Sequence, residues 1–236
     1  MQKIVFFGSS PFSCVVLEKI APYCVAVVTN PDRPAGRGLK LTENPVKSLA
    51  KKYNIPVFET INDYCMTMND AEQMTGIVAA YGQIIKREVL DKFNGQIYNI
   101  HPSLLPKYRG ASPLQQQILD GVVETGVTII KMDALMDHGP IVAVAHDTIR
   151  PNDTAVTLGN RLFETGAKLF IDYLLTPNSY RLIEQDHNEA TYTKKLTKQD
   201  GFVKYDDPKL ERKKRAFSPW PGTWTIDSKG ERIKIS

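Results

Sequence analysis

Two polar side chains with catalytic potential lie at the end of an apolar run. Asn99 and His101 are two residues apart in the segment YNIHP, and the period of two in a strand directs such side chains to the same side. An asparagine amide can donate to an oxyanion, and histidine is the usual proton carrier near neutral pH. A histidine at a strand end is more often structural when it stands alone. The pair makes this strand end a candidate site for attack on a carbonyl carbon.

Asp137 is the third candidate, because it precedes a Gly-Pro pair that separates two β-type segments in LMDHGPI. From this turn its carboxylate could reach Asn99 and His101. A carboxylate next to the histidine would orient the imidazole and favour its charged form. Asn99, His101 and Asp137 together would stabilise an oxyanion and provide a route for protons, which transfer of an acyl group to an amine requires.

The elements that must position these residues alternate between strand and helix. Short apolar runs predict strands at residues 3–7, 25–29, 55–58, 76–82 and 97–100, with helical patterns between most of them. This alternation predicts an α/β fold with a mostly parallel sheet covered on both faces. In such a sheet the ligand crevice lies at the carboxyl ends of the strands, where Asn99 and His101 are expected.

The second half of the chain predicts an antiparallel addition and a long closing helix. Residues 127–132 and 139–149 read as strands that could pair antiparallel. Asp153 is the expected N-cap of a helix that ends at Pro177. We therefore predict a catalytic domain over residues 1–180, and a linker with a short basic C-terminal extension over residues 181–236.

Composition excludes several classes of protein. The 236 residues are 42% hydrophobic and 24% charged, as in ordinary globular chains. No apolar window is long enough to span a bilayer, and the first apolar run stops at Gly8, so we expect a cytoplasmic protein with no membrane partner. Cys14, Cys24 and Cys65 show no CxxC spacing, so the sequence predicts neither a disulfide framework nor a metal site.

Basic residues are concentrated in two segments. Residues 191–236 hold twelve Lys and Arg against six Asp and Glu, and residues 33–52 hold six against one. Two basic segments suit a polyanionic partner such as RNA. On charge alone, an ordinary solvated surface is an equally good interpretation.

The order of motifs narrows the interpretation. The Asn99-x-His101 pair is followed by SLLP, KYRG, ETGVT and MDHG, and this series resembles that of the folate-dependent formyltransferases. The resemblance to the methionyl-tRNA formyltransferase family covers nearly the whole chain through FFGSSPF, PDRPAGRG, AYGQI, ATYTKKLTKQDG and FSPWPG. It implies a Rossmann-like formyltransferase domain. It also implies transfer of a formyl group from 10-formyltetrahydrofolate to the amino group of initiator methionyl-tRNA.

The resemblance also implies a role for individual residues. The residues implied for catalysis are Asn99, His101 and Asp137. The residues implied for folate binding are Tyr81, Gly82, Ser103, Leu104, Leu105 and Pro106. The residues implied for the acceptor are Gly8 and Ser9 at its amino-acid end, and Arg33 and Arg37 at the tRNA backbone, where the glycines of PDRPAGRG permit close approach. Without Asn99 and His101 beside it, SLLP would be an ordinary strand-to-helix connection.

The pattern departs from the family at its end. Methionyl-tRNA formyltransferases continue into a β-barrel domain, and here the sequence stops at GERIKIS, where that domain should begin. Three functions stay open: a compact methionyl-tRNA formyltransferase, a sugar-nucleotide N-formyltransferase with the same donor, and a non-catalytic remnant that binds folate or RNA. The PDRPAGRG loop favours the first, and the intact Asn99, His101 and Asp137 argue against the third.

Overall fold

The computed structural model describes residues 3–35, 38, 40–67 and 71–235. Its strands are β1 (Lys3–Gly8), β2 (Cys24–Val28), β3 (Arg33–Ala35), β4 (Lys40–Thr42), β5 (Val57–Phe58), β6 (Met74–Ala79), β7 (Ile97–His101), β8 (Arg109–Gly110), β9 (Glu124–Lys131), β10 (Ile141–Thr148), β11 (Tyr192–Thr193), β12 (Thr223–Ile226) and β13 (Arg232–Ile235). Its helices are α1 (Pro11–Ile20), α2 (Pro45–Lys52), α3 (Ile61–Thr67), α4 (Arg87–Lys92), α5 (Pro113–Asp120), α6 (Ala155–Leu175) and α7 (Leu210–Ala216).

Seven strands of the described residues form one central sheet in the order β10-β9-β7-β6-β1-β2-β5. The five strands from β7 to β5 pair parallel, whereas β9 pairs antiparallel with both β7 and β10. The prediction of a mostly parallel α/β sheet is confirmed, as is the antiparallel pairing of its later strands. This topology brings the carboxyl ends of β1, β2, β6 and β7 to the same edge.

Both faces of the sheet are covered, because successive residues of each strand point to opposite sides. Phe6 of β1 packs in the core formed with α1, α2, α5 and α6. Its neighbour Phe7 packs in the opposite core, with side chains from α3 and α4. Both rings are fully buried, and burial of such a side chain contributes about 1.5–3 kcal/mol to folding. The sheet is thus fixed from both sides.

The closing helix begins one residue later than the sequence predicts. Thr154, not Asp153, is the N-cap of α6, and it forms a capping box with Thr157. Asp153 bonds instead to Arg161 and to the backbone N–H of Arg150. Burial by itself would raise the pKa of Asp153, but these bonds and that from Thr157 lower it to about 2. The Asp153 carboxylate thus forms an ion pair with Arg161 instead of capping the helix.

Residues after position 180 return to pack against the first 180 residues. Ile183 bridges Ile141 at the start of β10, and β11 pairs parallel with β8. Further on, α7 packs against α5, and β12 pairs with β13 as a hairpin; the sequence does not predict these elements. The boundary at residue 180 stays a prediction. In the described part of the chain, no helix is long and apolar enough to cross a membrane.

Candidate active site

The strand ends bring most of the predicted site residues to one edge. In the sheet register Gly8 lies opposite Ala79, and Val78 lies opposite Asn99. The chain leaves β6 through Tyr81 and leaves β7 through the SLLP segment, so both follow directly from this edge. The topology of the sheet therefore places these predicted site residues at its carboxyl edge.

Asn99, His101 and Asp137 come together. Asn99 Nδ2 donates to Asp137 Oδ1 at 3.1 Å, and His101 Nδ1 lies 3.5 Å from the same oxygen. The second carboxylate oxygen, Oδ2, accepts the backbone N–H of Gly110 at 2.7 Å. Asn99 and His101 thus both lie against the Asp137 carboxylate, and the three predicted side chains are brought together; their catalytic role stays a prediction.

Asp137 reaches the cluster by a route that the sequence does not reveal. The loop between β9 and β10 starts beyond Lys131, which pairs with Tyr98 near the amino end of β7. From there the loop turns back and brings Asp137 against Asn99. Gly139 permits this path, because a Cβ there would lie 1.9 Å from the backbone oxygen of Lys131. Asp137 itself has a φ of 49°, a left-handed conformation that is uncommon for residues other than glycine.

The imidazole of His101 lies between two oxygens. Its Nε2 is 2.9 Å from the carbonyl oxygen of Tyr108, and because a carbonyl only accepts, Nε2 carries a proton. Nδ1 therefore faces Asp137, and this is the nitrogen at which a second proton can be taken up or released. Asn99 uses one of its two amide hydrogens on Asp137. In the described part of the chain no hydrogen bond engages the other, which can therefore donate to an oxyanion. The arrangement can thus stabilise negative charge and move a proton at neighbouring atoms.

The SLLP segment is fixed firmly beside this cluster. Thr128 of β9 donates through Oγ1 to the carbonyl of Ser103 at 2.6 Å and accepts the N–H of Leu105 at 3.2 Å. The side chains of Ser103 and Leu105 are buried, whereas Leu104 and Pro106 are partly exposed. These two are the members of the segment with surface to offer a ligand. Folate binding by the segment stays a prediction.

Tyr81 and Gly82 contribute differently to the edge. The Tyr81 ring is buried against Phe7, with ring centroids 6.0 Å apart, and its burial raises the pKa of the phenol to about 12. Within the described residues its hydroxyl has no hydrogen-bond partner. At Gly82, where φ is 75°, the space around an added Cβ is open. The backbone there borders the edge, while a folate contact by either residue stays a prediction.

Gly8 and Ser9 form the turn between β1 and α1. A Cβ on Gly8 would lie 2.6 Å from Ser13, so this tight turn requires glycine. The Ser9 hydroxyl accepts from Asn44 Nδ2 at 2.7 Å, and Asn44 is also the N-cap of α2. Ser9 thereby joins the carboxyl edge to the segment that precedes α2.

That segment is a β-hairpin, where the sequence predicts a loop. The hairpin strands β3 and β4 pair antiparallel, with exposed Arg33 opposite Thr42. Asp32 anchors the hairpin by accepting from Lys47 at 2.8 Å and from the N–H of Asn44. These two hydrogen bonds lower the pKa of Asp32. Arg37, the other predicted contact with the acceptor, lies outside the described residues.

Two residues of the site are missing from the sequence-based prediction. Arg109 is 1% exposed and Gln185 is 5% exposed. Gln185 donates to the backbone carbonyl of Asp137, and Arg109 donates to Gln185. Arg109 lies in the KYRG motif, but a motif gives no sign that its arginine is buried. Gln185 is far from Asp137 along the chain, in a segment that the sequence identifies only as a linker.

Comparison with known proteins defines the class. The family model described as formyl transferase matches residues 3–174, so the chain is a formyltransferase by family. The methionyl-tRNA formyltransferase of Pseudothermotoga lettingae is 40% identical over 239 residues, which cover 99% of this chain and 78% of that protein. That of Roseiflexus castenholzii is also 40% identical, over 99% of this chain and 78% of its own length. The chain belongs to the methionyl-tRNA formyltransferase family.

Solved structures share the fold at lower identity. A sugar 3N-formyl transferase, WlaRD, superimposes with a TM-score of 0.69 at 24% identity, covering 92% of this chain and 79% of its own. The phosphoribosylglycinamide formyltransferase from Bacillus halodurans gives 0.59 at 24% identity, over 75% of this chain and 97% of its own. The Rossmann-like formyltransferase fold predicted from the motif series is confirmed.

Proposed function

We propose that this chain transfers the formyl group of 10-formyltetrahydrofolate to the amino group of methionyl-tRNA, with Asn99, His101 and Asp137 as its catalytic residues. The observation that carries the proposal is the convergence of these side chains, Asn99 Nδ2 and His101 Nδ1 both facing Asp137 Oδ1. Family membership and the names of relatives at 40% identity support formyl transfer to this acceptor. We also propose a cytoplasmic location, since the proposed acceptor is a substrate of protein synthesis.

The geometry supports a division of labour among the three residues. Attack of the amine on the formyl carbon puts negative charge on the formyl oxygen, and the free amide hydrogen of Asn99 is a suitable donor to it. The attacking nitrogen must lose a proton, and Asp137, whose side chain is 12% exposed, is the more accessible acceptor. His101, 4% exposed, lies behind Asp137 and can share the proton through Nδ1. The proton then passes to the tetrahydrofolate nitrogen as the carbon–nitrogen bond breaks.

The donor is proposed to lie against the partly exposed members of the SLLP segment and the Gly82 turn. A pterin is flat, with donors and acceptors at its edge, and suits a groove of apolar side chains and backbone groups. Leu104 and Pro106 offer apolar surface, and the buried Tyr81 hydroxyl has no hydrogen-bond partner within the described residues.

The acceptor is proposed to approach from the hairpin side. Arg33 is exposed on β3, and the hairpin is anchored through Asn44 to Ser9 at the edge of the site. Cations on a hairpin with glycines can contact a sugar-phosphate backbone closely. We propose that Arg33 and Arg37 contact the tRNA backbone, while Gly8 and Ser9 border its aminoacyl end.

The direct test is an assay for formylmethionyl-tRNA. Wild-type protein, 10-formyltetrahydrofolate and methionyl-tRNA should give N-formylmethionine after hydrolysis of the ester, and the same protein with Asn99, His101 and Asp137 all replaced by alanine should give none. An amino-sugar nucleotide is offered in a parallel reaction. Formylation of the sugar nucleotide and not of the tRNA would contradict the proposal.

A further inference from the structure

Arg109 is a buried cation surrounded by neutral partners. Its Nε and Nη2 donate to Gln185 Oε1 at 3.2 and 2.7 Å. Nη2 also donates to His187 Nδ1 at 2.9 Å, and the ring of His187 stacks on that of His138 at 3.9 Å. In the part of the chain that the structure describes, none of the ion pairs involves this guanidinium. A buried charge without a counter-ion is costly, so Arg109 depends on these hydrogen bonds.

Gln185 connects Arg109 to the loop that contains Asp137. While Oε1 accepts from Arg109, Nε2 donates to the carbonyl of Asp137 at 2.9 Å and to that of Gly139 at 2.7 Å. The side-chain amide of Gln185 thus has both hydrogens and its oxygen engaged. Its donors therefore hold the loop on both sides of His138.

Asp137 needs such support because its backbone is in the left-handed region, with φ at 49°. A left-handed backbone conformation at a residue other than glycine is strained, and it persists when surrounding contacts hold it. Arg109 supports the same residue in a second way, since the next peptide N–H, that of Gly110, donates to Asp137 Oδ2. One buried arginine therefore lies next to both attachments of Asp137.

We propose that Gln185, held by Arg109, is the positioning residue that keeps the Asp137 carboxylate directed at Asn99 and His101. This inference rests on the proposed function, because the proposed function gives the Asp137 carboxylate its catalytic role. It also gives the segment after residue 180 a part in catalysis, because Gln185 belongs to that segment and reaches back to the site.

Gln185→Glu separates positioning from packing. The carboxylate still accepts from Arg109 and neutralises its charge, so we expect a melting temperature close to that of the wild type. It has no amide hydrogens, however, and directs an oxygen at the carbonyls of Asp137 and Gly139. We expect turnover to fall roughly 30-fold, while the Michaelis constant for the formyl donor stays within about threefold. Turnover within about twofold of wild type in the folded variant would overturn the proposal.

A matched control and a second variant complete the test. Gln199→Glu makes the same charge change at an exposed position and should leave turnover unchanged. Gln185→Met keeps the chain length without donor or acceptor, and it should lower turnover at least as much as Gln185→Glu, which keeps the test decisive if the glutamate variant does not fold. Normal turnover of folded Gln185→Met would contradict the proposal.

Coupling to Asp137 is the final measurement. In an Asp137→Asn background, Gln185→Glu should reduce turnover by less than about twofold, because the group it positions is already lost. A full independent reduction would refute action through Asp137. Hydrogen exchange of residues 132–140, which should be faster in Gln185→Glu than in Gln199→Glu, reports on the loop without any acceptor. A wild type that fails to formylate methionyl-tRNA refutes the proposed function instead, and the exchange result still decides whether Gln185 holds the loop.

Discussion

Replacement of Asp137 by asparagine removes charge from the centre of the proposed site with almost no change in shape. The carboxylate now accepts from Asn99 Nδ2 and from the N–H of Gly110, and it faces His101 Nδ1. An asparagine has one accepting oxygen. If that oxygen keeps the 2.7 Å bond from Gly110, the new amide group directs hydrogens at Asn99 and at His101.

The expected loss follows from those contacts. One hydrogen bond to a charged group is lost and a donor faces a donor, which together cost roughly 2–3 kcal/mol. If the whole cost falls on the transition state, turnover decreases about 30- to 150-fold. The Michaelis constant for 10-formyltetrahydrofolate should change little, since the proposed donor-binding segment is fixed by Thr128 instead.

Rapid-quench single turnover with saturating donor measures this directly, because it isolates the chemical step from product release. Asp91→Asn is the control, since Asp91 is an exposed carboxylate on α4 that pairs with the exposed Arg87. A single-turnover rate for Asp137→Asn within about threefold of wild type, in protein with a normal melting curve, would refute the role assigned to this carboxylate.

Three further predictions follow from other contacts. His101→Ala should lower turnover roughly a hundredfold with little change in the Michaelis constant for the donor; steady-state kinetics with near wild-type turnover would remove His101 from the mechanism. Arg33→Ala should raise the Michaelis constant for methionyl-tRNA, and wild-type activity should fall steeply between about 50 and 200 mM salt; indifference to both would argue against a tRNA acceptor. Because the pKa of Asp153 is lowered from 3.8 to about 2, its stabilisation is present above pH 3.8 and is lost as pH falls towards 2. Asp153→Asn should therefore flatten the dependence of melting temperature on pH in that window, and an unchanged slope would contradict this assignment.

The sequence predicts the sheet well because its signals are local. Apolar runs at β1, β2, β6 and β7 are short, separated by helical patterns, and buried on both faces, which is the pattern of parallel strands. The same argument brings Asn99 and His101 to the carboxyl edge. A capping choice is less predictable, since Asp153 and Thr154 are both good N-caps and the ion pair with Arg161 decides between them.

The support of Asp137 depends on contacts that no local pattern contains. Gln185 meets Asp137 only because the chain returns through the Ile183 bridge and the pairing of β11 with β8. The burial of Arg109 follows from the same return. A motif series can therefore name the candidate catalytic side chains, whereas the groups that hold Asp137 become visible only in the folded chain.

The proposed function is tested most directly by competition between acceptors at this site. Labelled 10-formyltetrahydrofolate is supplied with methionyl-tRNA and an amino-sugar nucleotide in one reaction, and the label in each product gives the ratio of the two kcat/KM values. We predict that nearly all of the label enters methionyl-tRNA and that His101→Ala abolishes most of this transfer. Label chiefly in the sugar nucleotide, or transfer to tRNA that survives His101→Ala unchanged, would contradict the proposal.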